Sequence, residues 1–473
     1  MTTARTTDLL HTGARLVDAV SGEVLAGARL RADVDEIAAE VASLPSGVLF
    51  ARTEVDVPSV LRYLAAFESG RAMAMLDGGQ DRAVLLELVA RFRPAAVLNV
   101  DSAPPAGYRA GRVGGPAWVR EATDGAVPHP DLAVLLPTSG STGNPKFVRL
   151  SKAAVLSNAE AIADVLGIDD AEVAPTSLPL HYSYGLSVLN SHLLRGATVV
   201  VEATGVMGRP FWQAVDEHKI TSLAGVPYHY EMLKRLRFDP AKYPTLRTIT
   251  QAGGKLREDL VTEFNDKMTA AGGRMFVMYG QTEAAPRMAT VPAEKLVDKL
   301  GSAGLALPGG AFAIRTEDGA ETTEPGVVGE VLYRGPNVMM GYAESEAELA
   351  EGDSRGGLLE TGDLGRLDAD GYLFITGRLK RIGKVFGNRV NLDDVEQLVR
   401  GSGLDTGVAA AVPAGDKVVI WLENRDADTR KAVARHLAEK LHIHVSGFDV
   451  REVDALPLLP SGKVDYRSLE GRA

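Results

Sequence analysis

The densest run of chemistry-bearing residues in the chain is Leu136-Pro-Thr-Ser-Gly-Ser-Thr-Gly-Asn-Pro-Lys146. It sets four hydroxyls (Thr138, Ser139, Ser141, Thr142) among two glycines, Gly140 and Gly143, with Lys146 just beyond. Glycine lets the backbone turn its N–H groups inward and the hydroxyls add donors, so such a loop can wrap phosphate oxygens. A flexible Ser/Gly linker has a similar composition. This segment, however, follows Leu132-Ala-Val-Leu-Leu136, an apolar run of the buried-strand type. The loop is not of the Walker type. The Gly-Lys pairs at Gly254, Gly383 and Gly462 have Ile249, Arg378 and Pro457 where the first glycine belongs. A second feature is Glu283, a carboxylate just past a strand of the type that ends at Tyr279. The C-terminal ends of strands are where open α/β sheets bind ligands.

These groups need a scaffold, and hydrophobic spacing supplies one. Residues 47–51, 72–76 and 95–100 read as strands, and 58–69 and 82–92 as helices, with Val60, Leu61, Leu64 and Phe67 at helical spacing. That βαβαβ order predicts a parallel sheet with right-handed crossovers. The pattern resumes after residue 130. Strands are expected at 132–136, 197–201, 221–226, 246–251 and 275–279, and helices at 151–166, 185–194, 211–219, 229–236 and 257–271, with Ser151 as an N-cap. The reading is therefore an α/β fold: two α/β halves, about 45–125 and 130–285, then a small Gly/Pro/Thr-rich β-subdomain over 290–376 with a hairpin turn at Asp370-Gly371. From about 380 short α/β units return as a small α+β piece. The expected domains are 1–379, binding nucleotide and acid, and 380–473. No internal repeat or low-complexity tract is evident.

Composition narrows the function. The chain has 473 residues, with 51 Lys and Arg against 62 Asp and Glu, for a net charge of −11. So acidic a chain is a poor binder of nucleic acid or anionic membrane. It has no cysteine, which excludes disulfides, thiolate zinc sites and a cysteine nucleophile. No apolar run reaches the ~20 residues of a membrane span, and the first residues lack the apolar stretch of a secretory signal; a cytoplasmic protein is expected. Gly185-Leu-Ser187-Val-Leu189 lacks the second glycine of a nucleophile elbow. His442-x-His444 is no zinc motif and reads as a strand face.

Taken in order, the motifs resemble those of the adenylate-forming enzymes: acyl-CoA synthetases, nonribosomal peptide adenylation domains and luciferases. The 136–146 loop is similar to their phosphate loop. Tyr279-Gly-Gln-Thr-Glu283 resembles their Tyr-Gly-x-Thr-Glu, and Thr361-Gly-Asp363 their ribose-binding turn. Gly377-Arg-Leu-Lys380, with Gly387-Asn-Arg389 and Asp394-Val-Glu396, resembles their hinge, and Pro460-Ser-Gly-Lys463 their C-terminal lysine motif. The resemblance implies an ATP-dependent carboxylic acid ligase. Such an enzyme forms an acyl-adenylate, releases pyrophosphate and passes the acyl group to a pantetheine thiol, on coenzyme A or on an acyl or peptidyl carrier protein. It implies ATP and Mg²⁺ as cofactors and a small carboxylic acid as substrate.

It also implies roles. Glu283 would hold Mg²⁺, a hard cation that wants oxygen, and Thr282 would meet the α-phosphate. Tyr279 would stack on adenine, with Gly253 and Gly254 letting the backbone approach the other face. Asp363, acceptor-only and so suited to a diol, would take the ribose hydroxyls. Arg378 would touch ribose or phosphate, and Arg389 would neutralise phosphate. Lys463 would stabilise the crowded negative charge of adenylation. Lys380 marks the hinge about which the small domain swings, and Gly387 the pantetheine path. The plainer readings are a core tyrosine at 279, surface or turn carboxylates at 283 and 363, a turn glycine at 387, a tail lysine at 463 and a solvated basic face for the rest of 378–389, including Arg381 and Lys384.

The acid is expected among His181, Tyr182, Tyr184, Gly185, Ala224, Gly225, Gln251, Ala252, Gly280 and Ala284. Amino-acid-activating members usually carry an Asp near the first of these stretches. Here Leu180-His-Tyr-Ser-Tyr-Gly-Leu186 has none, so an ammonium would be poorly compensated. The alternative is a stand-alone enzyme activating an amino acid, including a β-amino acid, for a carrier protein. His181 stands one place before the usual histidine and either gates the pocket or is a satisfied core residue. Phe147 after Lys146 and Arg381 after Lys380 depart from the family pattern, and the chain is short for it.

Overall fold

The computed structural model describes residues 8–138, 146–379, 381–386, 388–459 and 464–473, with the backbone alone at 382, 384, 388, 389 and 391. The chain forms two compact units, residues 1–311 with 333–359 and residues 312–332 with 360–473. The β-rich stretch 360–378 thus groups with the C-terminal residues.

In the first unit the largest sheet has eight strands. Its centre holds Leu132–Thr138, Met73–Asp77, Leu49–Thr53 and Ala96–Leu98, all parallel. Such strands are covered on both faces and so are apolar throughout, which is how they read in the sequence. Helix Val57–Glu68 starts where Asp56 accepts from the Ser59 amide at 2.8 Å, and helix Arg82–Phe92 follows the next strand. Phe50, Phe92 and Phe147 pack at centroid distances of 5.0–6.0 Å in this core. The expected boundary near residue 130 is corrected here. Leu132–Thr138 pairs with Met73–Asp77, and its antiparallel partner Lys146–Ser151 extends the same sheet. Strands 132–138 and 146–151 therefore belong to the first half: Ala96–Leu98 pairs with Leu49–Thr53, and the edge of Met73–Asp77 is filled by the apolar Leu132–Thr138.

A second sheet of five strands carries Ser222–Gly225, Thr248–Gln251 and Arg274–Gly280 in parallel, then turns antiparallel into Arg287–Val291. Helix Lys152–Leu166 packs beside helix Ser183–Leu194. The first is capped by Ser151, which accepts from the Ala154 amide at 3.0 Å, and is closed by the left-handed Gly167. A four-stranded sheet joins Arg15–Asp18 to Thr198–Val201. The N-terminal strands and helix Gly27–Ala42 had no reading in the sequence.

In the second unit, Leu358–Leu367 and Leu373–Arg378 form an antiparallel pair through a turn at Gly371. Farther on, Ala409–Ala414, Lys417–Glu423 and Phe448–Val453 form a three-stranded sheet under helices Leu392–Arg400 and Ala427–Leu441. His442 and His444 do not mark a strand face. His442 is the left-handed cap of the second helix, and His444 caps the next turn. Among the described residues no helix is long and apolar enough to cross a membrane.

Candidate functional site

The phosphate-type loop springs from a hairpin. Thr138 and Lys146 are paired at its base, and the Thr138 hydroxyl reaches the Lys146 carbonyl at 3.4 Å. The loop thus leaves the C-terminal end of a central strand. Ser139, Gly140, Ser141, Thr142 and Gly143 lie outside the described residues. The Lys146 ammonium sits 3.4 Å from the ring centroid of Tyr342, on the edge strand Gly341–Ala343.

Tyr342 links that lysine to Glu283. Its hydroxyl donates to Glu283 Oε1 at 2.9 Å. Burial first, and the Glu283 charge second, push the Tyr342 phenol pKa up, so it stays a proton donor. Glu283 lies in the single turn Thr282–Ala284 that follows strand Arg274–Gly280. Buried amides clamp that turn. Asn337 Nδ2 donates to the carbonyls of Ala284 (2.6 Å) and Arg287 (2.9 Å), and the Met339 amide donates to the Glu283 carbonyl at 2.8 Å. Thr282 Oγ1 meets Ser183 Oγ at 3.1 Å. Tyr279 is half-buried on the same strand end. Across the site, Gly253 has φ of +83°, and a side chain there would run into the Tyr182 hydroxyl. Gln251 is buried and donates to the Gly254 carbonyl at 2.7 Å, so it fixes this turn.

The expected acid-pocket residues divide. Tyr184 and Ala224 line a cavity between helices Lys152–Leu166 and Ser183–Leu194 and the second sheet. Tyr182, Ala252 and Ala284 pack in the surrounding core. Gly185 and Gly280 are glycines for packing reasons, since a Cβ would overlap the Pro179 and Pro286 carbonyls respectively. A Cβ on Gly225 would come within 3.0 Å of Tyr230. His181 Nε2 stands 3.9 Å from Asp77 Oδ2, while its buried Nδ1 has no partner. Burial lowers its pKa against the pull of Asp77, so it is neutral near pH 7. Nothing in the local pattern points to Asp77, which arrives from the other sheet. Nor does it signal Tyr342, Asn337 or the buried Arg287, whose partners are distant in the chain.

The second unit carries the remaining candidates. Asp363 and Arg378 face each other across the antiparallel pair, with Arg378 Nε 2.9 Å from Asp363 Oδ1. Asp363 is buried; Arg378 is largely exposed. Arg381 is not on a solvated face. It ion-pairs with Asp393 and with Glu396 (2.8 Å), donates to the Ala411 carbonyl at 2.8 Å and lies over the Tyr466 ring at 3.8 Å. The basic residue is there because two carboxylates and an aromatic face await it. Arg389 pairs with Lys384 in the strand register. Lys380, Gly387 and Lys463 lie outside the described residues. The chain on either side of Lys463 is closed by a bridge between Leu458 and Val464 and by the Asp465 amide on the Pro457 carbonyl at 2.7 Å.

The Thr138–Lys146 loop base, a clamped Thr-Glu turn and the Gly253 turn thus stand at the C-terminal ends of parallel strands. Residues 57–343 match the model of the AMP-binding enzymes. The chain belongs to that family. It is 30% identical over 437 residues to indoleacetate–CoA ligase of Aromatoleum aromaticum, covering 88% of this chain and 79% of that protein. It is 31% identical over 355 residues to oxalate–CoA ligase of Arabidopsis thaliana, covering 72% and 68%. In fold it is similar to the o-succinylbenzoate CoA synthetase of Bacillus subtilis in complex with its acyl-adenylate intermediate, with TM-score 0.76, 23% identity and coverage of 98% and 96%. The α/β architecture of this adenylate-forming family therefore extends over almost the whole chain.

Proposed function

We propose that this member of the family is an AMP-forming acid–thiol ligase. It joins a small carboxylic acid to AMP with loss of pyrophosphate and then passes the acyl group to a pantetheine thiol. The observation that carries the reading is the Thr282-Glu283 turn, held by Asn337 and Met339 beside Tyr342 and Lys146. It presents one carboxylate and one hydroxyl at strand ends where a nucleotide's phosphates can lie.

The residues fit the implied Mg²⁺. Among the described residues no cluster of three metal-ligating side chains exists. This ion, however, is commonly held by one or two carboxylates together with substrate phosphates and water, and Glu283 suits that role. The ion would neutralise phosphate charge as pyrophosphate departs. Thr282 donates to the α-phosphate, Lys146 and the residues 138–143 hold the outer phosphates, and Tyr279 stacks on adenine above Gly253 and Gly254. Asp363 accepts from the ribose hydroxyls, with Arg378 fixing its carboxylate. Lys463 holds the attacking carboxylate in line at the α-phosphorus and stabilises the charge that develops there. Lys380 is the hinge between residues 1–379 and 380–473, Arg389 meets phosphate, and Gly387 admits the pantetheine arm.

Coenzyme A is the favoured acceptor, because the relatives are named as CoA ligases; an acyl or peptidyl carrier protein is the other bearer of the same thiol. Amino-acid activation has no specific support, and the buried guanidinium of Arg287 beside the acid cavity would repel an ammonium. The test is pyrophosphate release with ATP, Mg²⁺ and a series of carboxylic acids, which must require the acid.

A further inference from the structure

The cavity that Tyr184 and Ala224 line contains a buried cation, Arg287, whose side-chain partner there is the neutral Tyr184. Arg287 reaches the cavity from the strand beside Gly280, with which it is in register. It is 3% exposed. Its guanidinium carbon lies over the Tyr184 ring, 3.7 Å from the centroid, and its buried Nε has no hydrogen-bond partner. Among the described residues no carboxylate comes within ion-pairing distance of it. Burial pulls its pKa down, but a guanidinium keeps its charge in proteins. Two buried asparagines pin its backbone. Asn158 bonds both its amide (3.1 Å) and its carbonyl (2.7 Å), and Asn337 bonds the carbonyl.

A buried charge without a counter-ion is costly. A cation–π contact offsets only part of that cost. The local groups cannot supply the missing anion. Glu172 also lines the cavity, but it accepts from Thr221 and pairs with Arg247 at 3.3 Å. Several donors on the wall are engaged: Ser187 on the Tyr184 carbonyl (2.7 Å), Ser191 on the Val188 carbonyl (3.2 Å) and Tyr184 on Thr250. His192 gives its Nδ1 proton to the Val188 carbonyl at 2.8 Å, which leaves Nε2 an acceptor. Arg287 is the Lys or Arg cation on this wall and so the group that draws an anion most strongly. The cavity volume of about 30 Å³ corresponds to roughly two waters, which gives room for a carboxylate head. The cavity lies beside the proposed reaction centre: its lining residue Tyr184 follows Ser183, whose hydroxyl meets Thr282 at 3.1 Å, and Arg287 is in register with Gly280.

We infer that the acid activated here is dicarboxylic. One carboxylate reacts beside Thr282 and Glu283, and the second, unreacted one pairs with Arg287. This rests on the ligase reading above. A guanidinium edge matches a carboxylate bidentately, and a site built to bond a polar group rejects analogues that lack it.

The test pairs each dicarboxylic acid from malonate to adipate with its monomethyl ester. Binding to the full chain is measured by calorimetry, and pyrophosphate release with ATP and Mg²⁺ is measured on the same compounds. The expected result is at least one diacid favoured over its half-ester by about 100-fold or more in kcat/KM. That ratio should fall toward one in Arg287→Gln and be partly kept in Arg287→Lys, which retains charge without the fork. Half-esters or simple monoacids turned over as well as every diacid would overturn the inference and leave the ligase reading standing. Arg287-dependent diacid binding without pyrophosphate release would support the inference and refute the ligase reading. No diacid bound or turned over would overturn the inference. The wild-type comparison decides even if the variants fail to fold.

Discussion

Removing the Arg381 side chain should loosen the C-terminal residues while sparing the first unit. Arg381 is about one-sixth exposed and answers two carboxylates, of which Glu396 is 5% exposed. Glu396 Oε1 also accepts from the Ala411 amide at 2.8 Å, and Tyr466 donates to Oε2 at 3.2 Å. Arg381→Ala would leave Glu396 buried with its neutral donors and only the longer contact to the half-exposed Arg400 at 3.7 Å. Breaking a buried pair in this way costs about 3–5 kcal/mol, and the lost contact with Tyr466 adds about 0.5–2 kcal/mol. Against a typical domain stability of about 5–15 kcal/mol, that is a large fraction. Hydrogen exchange reads it directly. Amides in Leu392–Arg400 and Lys417–Glu423 should lose protection by a factor of about three hundred to about a hundred thousand, at about 1.4 kcal/mol per decade, while those in Leu49–Thr53 and Met73–Asp77 should not change. A change below about threefold in the first set would refute the assignment of Arg381 as the buried counter-ion of this cluster.

Lys463→Ala should lower acid-dependent pyrophosphate release by about 10²–10³-fold, the cost of about 3–4 kcal/mol for one donor to developing charge; transfer from a supplied acyl-adenylate to coenzyme A should be affected far less, as product analysis by mass would show. Asn337→Leu strands the Ala284 carbonyl at about 1–3 kcal/mol, while the Arg287 carbonyl keeps Asn158, so kcat/KM for ATP should fall about tenfold, and an unchanged value would refute the clamp. Gly253→Ala adds a methyl group where φ is +83° and the Tyr182 hydroxyl is in the way; the KM for ATP should rise severalfold in steady-state assays. His229 has its pKa pushed by burial to about 4. The unfolded chain, with a pKa of about 6.5, then binds more protons between these values, so this group's support is full above about 6.5 and is lost as pH falls toward 4. In His229→Gln the acid limb of a Tm-against-pH curve should be flatter.

Much of the scaffold was legible because parallel strands are apolar throughout and helices keep their period. Arg82–Phe92 and the Ser151 cap appear as read. The motif residues were legible because loop glycines and hydroxyls at strand ends have few structural reasons to cluster. What the sequence hid was depth and partnership. Arg287 and Arg381 look like surface residues in a charged chain, yet one sits over Tyr184 and the other between Asp393, Glu396 and Tyr466. Gly185 and Gly280 looked like ligand-facing glycines, yet a neighbouring carbonyl explains each. The membership of Leu132–Thr138 in the first sheet follows from strand pairing, which local pattern does not encode.

The most direct measurement is pyrophosphate release with ATP and Mg²⁺ across fatty, aryl, hydroxy, amino and dicarboxylic acids, each with and without coenzyme A, with products identified by mass. An acyl-adenylate that becomes an acyl-CoA when the thiol is added is the predicted result. Pyrophosphate release by no acid, or an adenylate that persists unchanged in the presence of coenzyme A, would contradict the proposed acid–CoA ligase.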